Sequence, residues 1–123
     1  YYTGLIEMPP NLFWGERVPI AERISSRLGL PVFLTNDANA AALGEMRYGV
    51  AQGMKNFVVI TLGTGLGGGV VVNGELVYGH DGFPGELGHT TVFMEGGRDL
   101  ATGRSGSIEA YVSAPGIKRT VFE

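Results

Sequence analysis

An α/β fold is predicted by three features of the chain. Phe57-Val58-Val59-Ile60-Thr61-Leu62 is an apolar, β-rich run of strand length. Ala38-Asn39-Ala40-Ala41-Ala42-Leu43, behind Asp37, is a helix-forming run with an acid at its start. Asn73-Gly74, between Val70-Val71-Val72 and Glu75 to Tyr78, is a dipeptide that favours a two-residue hairpin turn. Helices mixed with strands that are partly hairpin-connected define the class.

The elements follow in chain order. Residues 3–8 (TGLIEM) are expected to form a short strand, broken by Pro9-Pro10-Asn11. Pro19 opens a helix that carries Ile20, Ala21, Ile24 and Leu28 on one face, and Gly29 stops it. Val32-Phe33-Leu34 is expected as a short buried strand. A helix then runs from Asp37 to about Arg47, with Gly49 and Gly53 in the loop beyond it. The run 57–62 is expected as a central strand buried on both faces, because it is apolar without alternation. Gly63 to Gly69 reads as a turn, Val70 to Val72 as a strand, and Glu75 to Tyr78 as its return. A short strand is expected near His89 to Met94. Ile108 to Ser113 reads as a helix start, interrupted by Pro115-Gly116 and followed by a second helix from Ile117.

The totals bound the function. A chain of 123 residues with 44% hydrophobic and 17% charged residues builds a packed core rather than a disordered segment. The net charge is −3 and no block of like charge occurs, so neither nucleic acid nor a membrane surface is expected as a partner. No signal peptide or bilayer-length apolar run is present, and cysteine is absent, which excludes disulfides and thiolate metal sites. A cytoplasmic location is expected. Glycine is the outlier at 21 residues, clustered at 63–69 and 79–106, where backbone must come close to something or adopt positive φ. Tyr1 leads at once into a strand and Glu123 falls within a helix, so the chain is expected to be a piece of a longer protein.

Asn36 and Asp37 stand where a strand gives way to a helix. A carboxylate there is favoured by the helix dipole and suited to accept a proton from a bound hydroxyl; equally, Asp37 suits a helix cap and Asn36 a turn. Gly63-Thr64-Gly65-Leu66-Gly67-Gly68 matches G-x-G-x-x-G, but a dinucleotide fold needs a helix after the loop, and here a strand and hairpin follow. A Gly/Thr turn between strands presents backbone N–H groups and a hydroxyl to a phosphate, or needs glycine only for its dihedrals. Glu86 and Glu109 read equally as a loop charge and a first-turn helix acid, and His89 as an ordinary histidine.

Three motifs in order carry a resemblance: Asn36-Asp37-Ala38-Asn39-Ala40-Ala41, Leu62-Gly63-Thr64-Gly65-Leu66-Gly67-Gly68-Gly69, and Gly85-Glu86-Leu87-Gly88-His89. Together with Pro10-Asn11-Leu12, Trp14 and Leu30-Pro31-Val32, they resemble the ROK family of repressors and sugar kinases over nearly the whole chain. The resemblance implies an actin-like ATPase (ribonuclease H-like) sugar-kinase fold, present in part. It implies the end of a small lobe at about 1–36 and the start of a large lobe at about 37–123. It implies transfer of the ATP γ-phosphate, with Mg²⁺, to a hydroxyl of a glucose-like hexose. Asp37 is then the catalytic base. Asn36, Glu86, His89 and Glu109 contact the sugar, and Gly63, Thr64 and Gly65 lie beside the ATP phosphates. A homo-oligomer is expected.

Two departures from the family pattern narrow these expectations. Many family members hold a structural zinc with the His of Gly-His and three cysteines. Here the cysteine positions hold Leu100, Thr102 and Ser107, which cannot replace thiolates, so no structural zinc is expected. His89 is then expected to serve the sugar alone, and the loop 94–107 to be packed by Phe93 and Leu100 or left mobile. The family's Asp-x-Gly-Gly-Thr phosphate loop and its adenosine-binding region both lie outside this chain. Little kinase activity is therefore expected of this piece alone. The alternative is the sugar-binding domain of a ROK-type transcriptional repressor.

Overall fold

The computed structural model describes residues 3–7, 13–80, 82, 84–100 and 103–123. It divides into two compact units, Tyr1–Asn36 and Asp37–Glu123.

In the first unit, β1 (Ile6–Glu7) pairs antiparallel with β2 (Arg17–Val18), and Arg17 meets Glu7 at 2.9 Å. Helix α1 (Ile20–Leu28) follows Pro19 directly. Pro19 fixes φ and lacks a donor that the first helical turn would leave unpaired. Gly29 ends α1 in the left-handed region at φ 67° and donates its N–H to Ser25 O at 2.8 Å, the capping role that sequence assigned to it. Residues 31–36 form no strand, and Phe33 is almost fully exposed. The expected buried strand at Val32 to Leu34 is therefore absent; an apolar run of three residues gains no sheet neighbour here. Pro9, Pro10, Asn11 and Leu12 lie outside the described residues.

The second unit is built on one helix and one hairpin. Helix α2 (Asp37–Tyr48) precedes β3 (Phe57–Leu62), β4 (Leu66–Val72) and β5 (Glu75–Leu76), which form an antiparallel sheet in the order β3-β4-β5. Phe57 pairs with Val71 and Leu62 with Leu66, so the turn between them is confined to Gly63, Thr64 and Gly65. Gly67, Gly68 and Gly69, expected in the turn, are strand residues. Close approach on both faces is the reason: Ala38 and Ala42 of α2 are fully buried, a Cβ on Gly69 would lie 2.5 Å from Ala42 Cβ, and one on Gly68 would lie 2.5 Å from Gly85 O. A helix whose buried face is methyl groups approaches a strand this closely only where the strand has no side chains.

Strand β3 alternates half-buried and exposed residues rather than being buried on both faces, with Val58, Ile60 and Leu62 outward. Its only neighbour among the described strands is β4. The Asn73-Gly74 turn forms as expected, both residues at positive φ (55° and 81°). Asn73 N–H donates to Asn56 Oδ1 at 2.9 Å and Gly74 N–H to Lys55 O at 2.7 Å.

Beyond the hairpin, Leu87–His89 is one 3₁₀ turn, not the start of a strand. The chain then runs out and back, with isolated bridges Thr91 to Ser107 and Asp99 to Ser105. Helix α3 (Glu109–Val112) leads into α4 (Ala114–Phe122). Pro115 does not interrupt α4 but lies in its first turn, and the buried Ser113 side chain accepts Gly116 N–H at 3.3 Å as its cap. Such a cap contributes about 1 kcal/mol.

Candidate functional site

Glu109 is the centre of the arrangement. It opens α3, and its Oε2 accepts the N–H of Leu66, the first residue of β4, at 2.7 Å. A hydrogen bond to an ionised group contributes about 1.5–3 kcal/mol. A Cβ on Gly65 would lie 2.5 Å from that oxygen, and a Cβ on Gly88 would lie 3.0 Å from it and 2.5 Å from Leu66 O. The carboxylate is thus lodged between the Gly63–Gly65 turn and the 3₁₀ turn. Two glycines, from motifs 23 residues apart, make the room (88 − 65).

The glycine turn is tied to the helices behind it. Gly63 O accepts Ala114 N–H at 2.8 Å, at the start of α4, and Gly63 N–H donates to Gly65 O at 3.0 Å. That N–H is used within the turn, so it is not among groups that the turn could direct at a phosphate. Thr64 is exposed at the tip.

Glu86 directly precedes the 3₁₀ turn without a side-chain hydrogen bond to it, and Leu87 N–H donates to Gly85 O at 2.7 Å. Glu86 Oε2 stands 3.7 Å from His89 Nε2, and both side chains are partly exposed. The opposite ring nitrogen, His89 Nδ1, is buried and makes no hydrogen bond among the described residues. Gly85 presses against the Gly68 backbone, which fixes this turn on β4. Glu86, His89 and Glu109 are therefore brought to one end of β4.

Asp37 is the first residue of α2, exposed, with Oδ1 accepting its neighbour Ala38 N–H at 2.9 Å. Ala38 Cβ would meet a Cβ on Gly67 at 3.0 Å. The start of α2 therefore lies over Gly67, one residue along β4 from the Leu66 N–H that Glu109 takes. Asn36 is the last residue of the first unit and is half-buried.

The thiolate zinc site of the family does not fit these residues. Leu100 offers an alkyl group and Ser107 a neutral hydroxyl, while Thr102 lies outside the described residues. His89 Nδ1 and Ser107 Oγ are both buried without hydrogen bonds, at the two ends of the out-and-back loop. Among the described residues no three His, Cys, Asp or Glu side chains group as metal ligands.

Sequence reasoning missed Arg98 and Tyr111. Phe93 packs on the Tyr111 ring, centroids 4.9 Å apart, as part of the expected packing of the loop. Arg98 adds to it: its N–H donates to Tyr111 Oη at 2.9 Å and its guanidinium lies 4.9 Å over the same ring.

The chain matches the ROK family model over residues 2–123. A glucokinase of Halalkalibacterium halodurans is 46% identical over 121 residues, which are 98% of this chain and 36% of that protein. The crystal structure of a ROK family glucokinase from Streptomyces griseus in complex with glucose and AMPPNP superposes with a TM-score of 0.77 at 41% identity, covering 91% of this chain and 35% of that one. A ROK family transcriptional regulator, a homolog of the E. coli MLC protein, superposes with a TM-score of 0.87 at 32% identity, covering 98% of this chain and 30% of that one. The chain spans about a third of the length of these proteins. Its mixed α/β architecture, with Glu109 and the Gly85-to-His89 turn gathered on a glycine hairpin, is part of the actin-like ATPase fold of the ROK sugar kinases, and the chain belongs to the ROK family.

Proposed function

We propose that this chain is the sugar-facing part of an ATP-dependent hexose kinase, with Asp37 as general base. The observation that carries the reading is the convergence of Glu109, Glu86 and His89 on one end of β4, beside the helix start that bears Asp37. In this reading 1–36 ends the small lobe and 37–123 begins the large one. The H. halodurans relative is a glucokinase, which makes a glucose-like hexose the first substrate to test.

The chemistry asks for positioning more than for covalent help. Phosphoryl transfer needs the attacking hydroxyl oriented and its proton accepted. In this reading Asp37 does both from its place as the first residue of α2. Glu109 uses Oε2 for Leu66, and its second oxygen is the acceptor for a sugar hydroxyl. Glu86, His89 Nε2 and Asn36 supply further polar groups suited to adjacent hydroxyls. Thr64 and Gly65 line the phosphate side. Bound Mg²⁺ supplies neutralisation of phosphate charge.

The test is ADP release by the natural full-length protein with ATP, Mg²⁺ and a panel of glucose, mannose, xylose and N-acetylated hexoses. Sugar-dependent turnover supports the kinase, and its absence across the panel overturns it. Glu109→Gln is expected to raise the sugar KM about ten- to hundred-fold, the equivalent of one charge-assisted hydrogen bond, with the ATP KM nearly unchanged. Steady-state kinetics with each substrate varied in turn check this.

The TM-score of 0.87 to a transcriptional regulator favours a second reading, a sugar-binding domain of a ROK repressor. Sugar binding by calorimetry without turnover, together with sugar-dependent DNA binding, distinguishes it.

A further inference from the structure

We propose that Arg98 is the positioning residue for Glu109, fastening the 91–107 loop to helices α3 and α4. Its backbone and side chain reach three separate elements. The backbone N–H donates to Tyr111 Oη at 2.9 Å, and the backbone O accepts Gly106 N–H at 2.9 Å. The guanidinium covers the Tyr111 ring on α3. Nη1 donates to Thr120 Oγ1 at 2.7 Å and to Gly116 O at 3.3 Å, and Nη2 donates to Glu123 Oε2 at 2.8 Å, all on or at the end of α4. The side chain is only 16% exposed.

These contacts bear on the site through a short path. Tyr111 and Glu109 are two residues apart on the single turn of α3, so whatever holds the Tyr111 ring holds the turn that aims the Glu109 carboxylate at Leu66 N–H. A four-residue helix has little stability of its own and takes its orientation from what grips it. The planar fork of arginine is suited to that grip, since it stacks on a ring and hydrogen-bonds in its own plane at once. At its base the loop is tied through backbone, by the Thr91–Ser107 bridge and by Ile108 N–H donating to Thr90 O at 2.9 Å. His89 Nδ1 and Ser107 Oγ are buried there without hydrogen bonds, and cysteine is absent from the chain. Glu123 is itself ordered by Arg119, whose hydrogen bond holds the Glu123 carboxyl below its ordinary pKa.

The test reads Glu109 directly and needs no turnover. Amide exchange is followed in the full-length protein for Arg98→Leu, Arg98→Lys and Tyr111→Phe. In Arg98→Leu the Leu66 amide, bonded to Glu109, is expected to exchange about tenfold faster or more, as are amides at 92, 93 and 106, while β3 amides keep their parental rates. Arg98→Lys, which keeps the charge but not the fork, is expected to recover part of the Leu66 protection. If Arg98→Leu does not fold, Arg98→Lys carries the test through a partial loss of Leu66 protection, while Tyr111→Phe reports only on the bond from Arg98 N–H to Tyr111 Oη. Chelator is expected to leave the parental rates unchanged. Leu66 protection unaltered in a folded Arg98 variant, or parental protection lost on chelation, overturns the proposal. On the kinase reading, Arg98→Leu also raises the sugar KM about tenfold with kcat and the ATP KM within about twofold. Failure of that kinetic split with the Leu66 effect intact counts against the sugar role of Glu109 rather than against the fastening.

Discussion

Asp37→Asn in the full-length protein is expected to lower kcat for sugar phosphorylation by about 10²–10⁴ while the sugar KM stays within a few-fold. Asparagine has nearly the shape of aspartate, and its Oδ1 still accepts the Ala38 N–H that Asp37 Oδ1 accepts at 2.9 Å. What disappears is the acceptor for the hydroxyl proton. The side chain is exposed at the start of α2, so stability changes little, by about 0.3–1 kcal/mol for the lost charge at the helix N-terminus. Steady-state kinetics beside a thermal melt separate the two effects. Equal turnover by parent and Asp37→Asn would remove Asp37 from the role of base. The same variant also separates the two readings of the chain: a repressor domain would keep its sugar affinity and have no turnover to lose.

The parts of the fold legible in sequence were those decided by local chemistry. Pro19 and Gly29 bound α1, Asp37 opens α2, and Asn73-Gly74 turns the hairpin, each through its own dihedral or dipole preference. The misread parts were decided by neighbours. Three glycines in a row have poor strand propensity, yet Gly67 to Gly69 are strand: Ala38 and Ala42 occupy the space that side chains on Gly67 and Gly69 would fill, and Gly85 and Leu87 the space that one on Gly68 would fill. Pro115 looked like a breaker, but in a first turn it loses no hydrogen bond, and Ser113 two residues earlier was the cap. Val58, Ile60 and Leu62 lie on an exposed face of β3, which no property of β3 itself reveals.

The candidate site was legible as a set of motifs and not as a geometry. That Glu109 meets Gly65 and Gly88 depends on a hydrogen bond spanning 43 residues, to Leu66. Arg98 left no local signal, since its side-chain partners lie 18, 22 and 25 residues away on another element. A scattered cation in a glycine-rich loop looks the same whether it is solvated or holds two helices together.

Gly69→Val and Gly44→Ala are expected to move stability in opposite directions, the first at the α2–β4 contact and the second on the exposed face of α2. A Cβ on Gly69 would lie 2.5 Å from Ala42 Cβ and 2.7 Å from Ala38 O, and one of these neighbours is helix backbone that cannot turn aside. Valine adds two more methyl groups to that contact. Helix α2 must therefore lift from β4, at a cost of about 1–3 kcal/mol or more for an overpacked core. Gly44 lies within α2 with nothing within 4 Å of its Cβ position and no positive φ, so alanine there gains about 1 kcal/mol from helix propensity alone. Denaturant midpoints at unchanged slope measure both changes. The lift has a functional consequence that a purely global destabilisation lacks. Asp37 rides on the first turn of α2, and Ala38 rests on Gly67 beside the Leu66 N–H that Glu109 holds. In Gly69→Val, at a temperature where the protein remains folded, kcat is expected to fall about 10²-fold or more, since a 1 Å displacement of a catalytic group carries a penalty of that order. Parental kcat in folded Gly69→Val would mean that the bare glycine ridge of β4 does not set the position of Asp37.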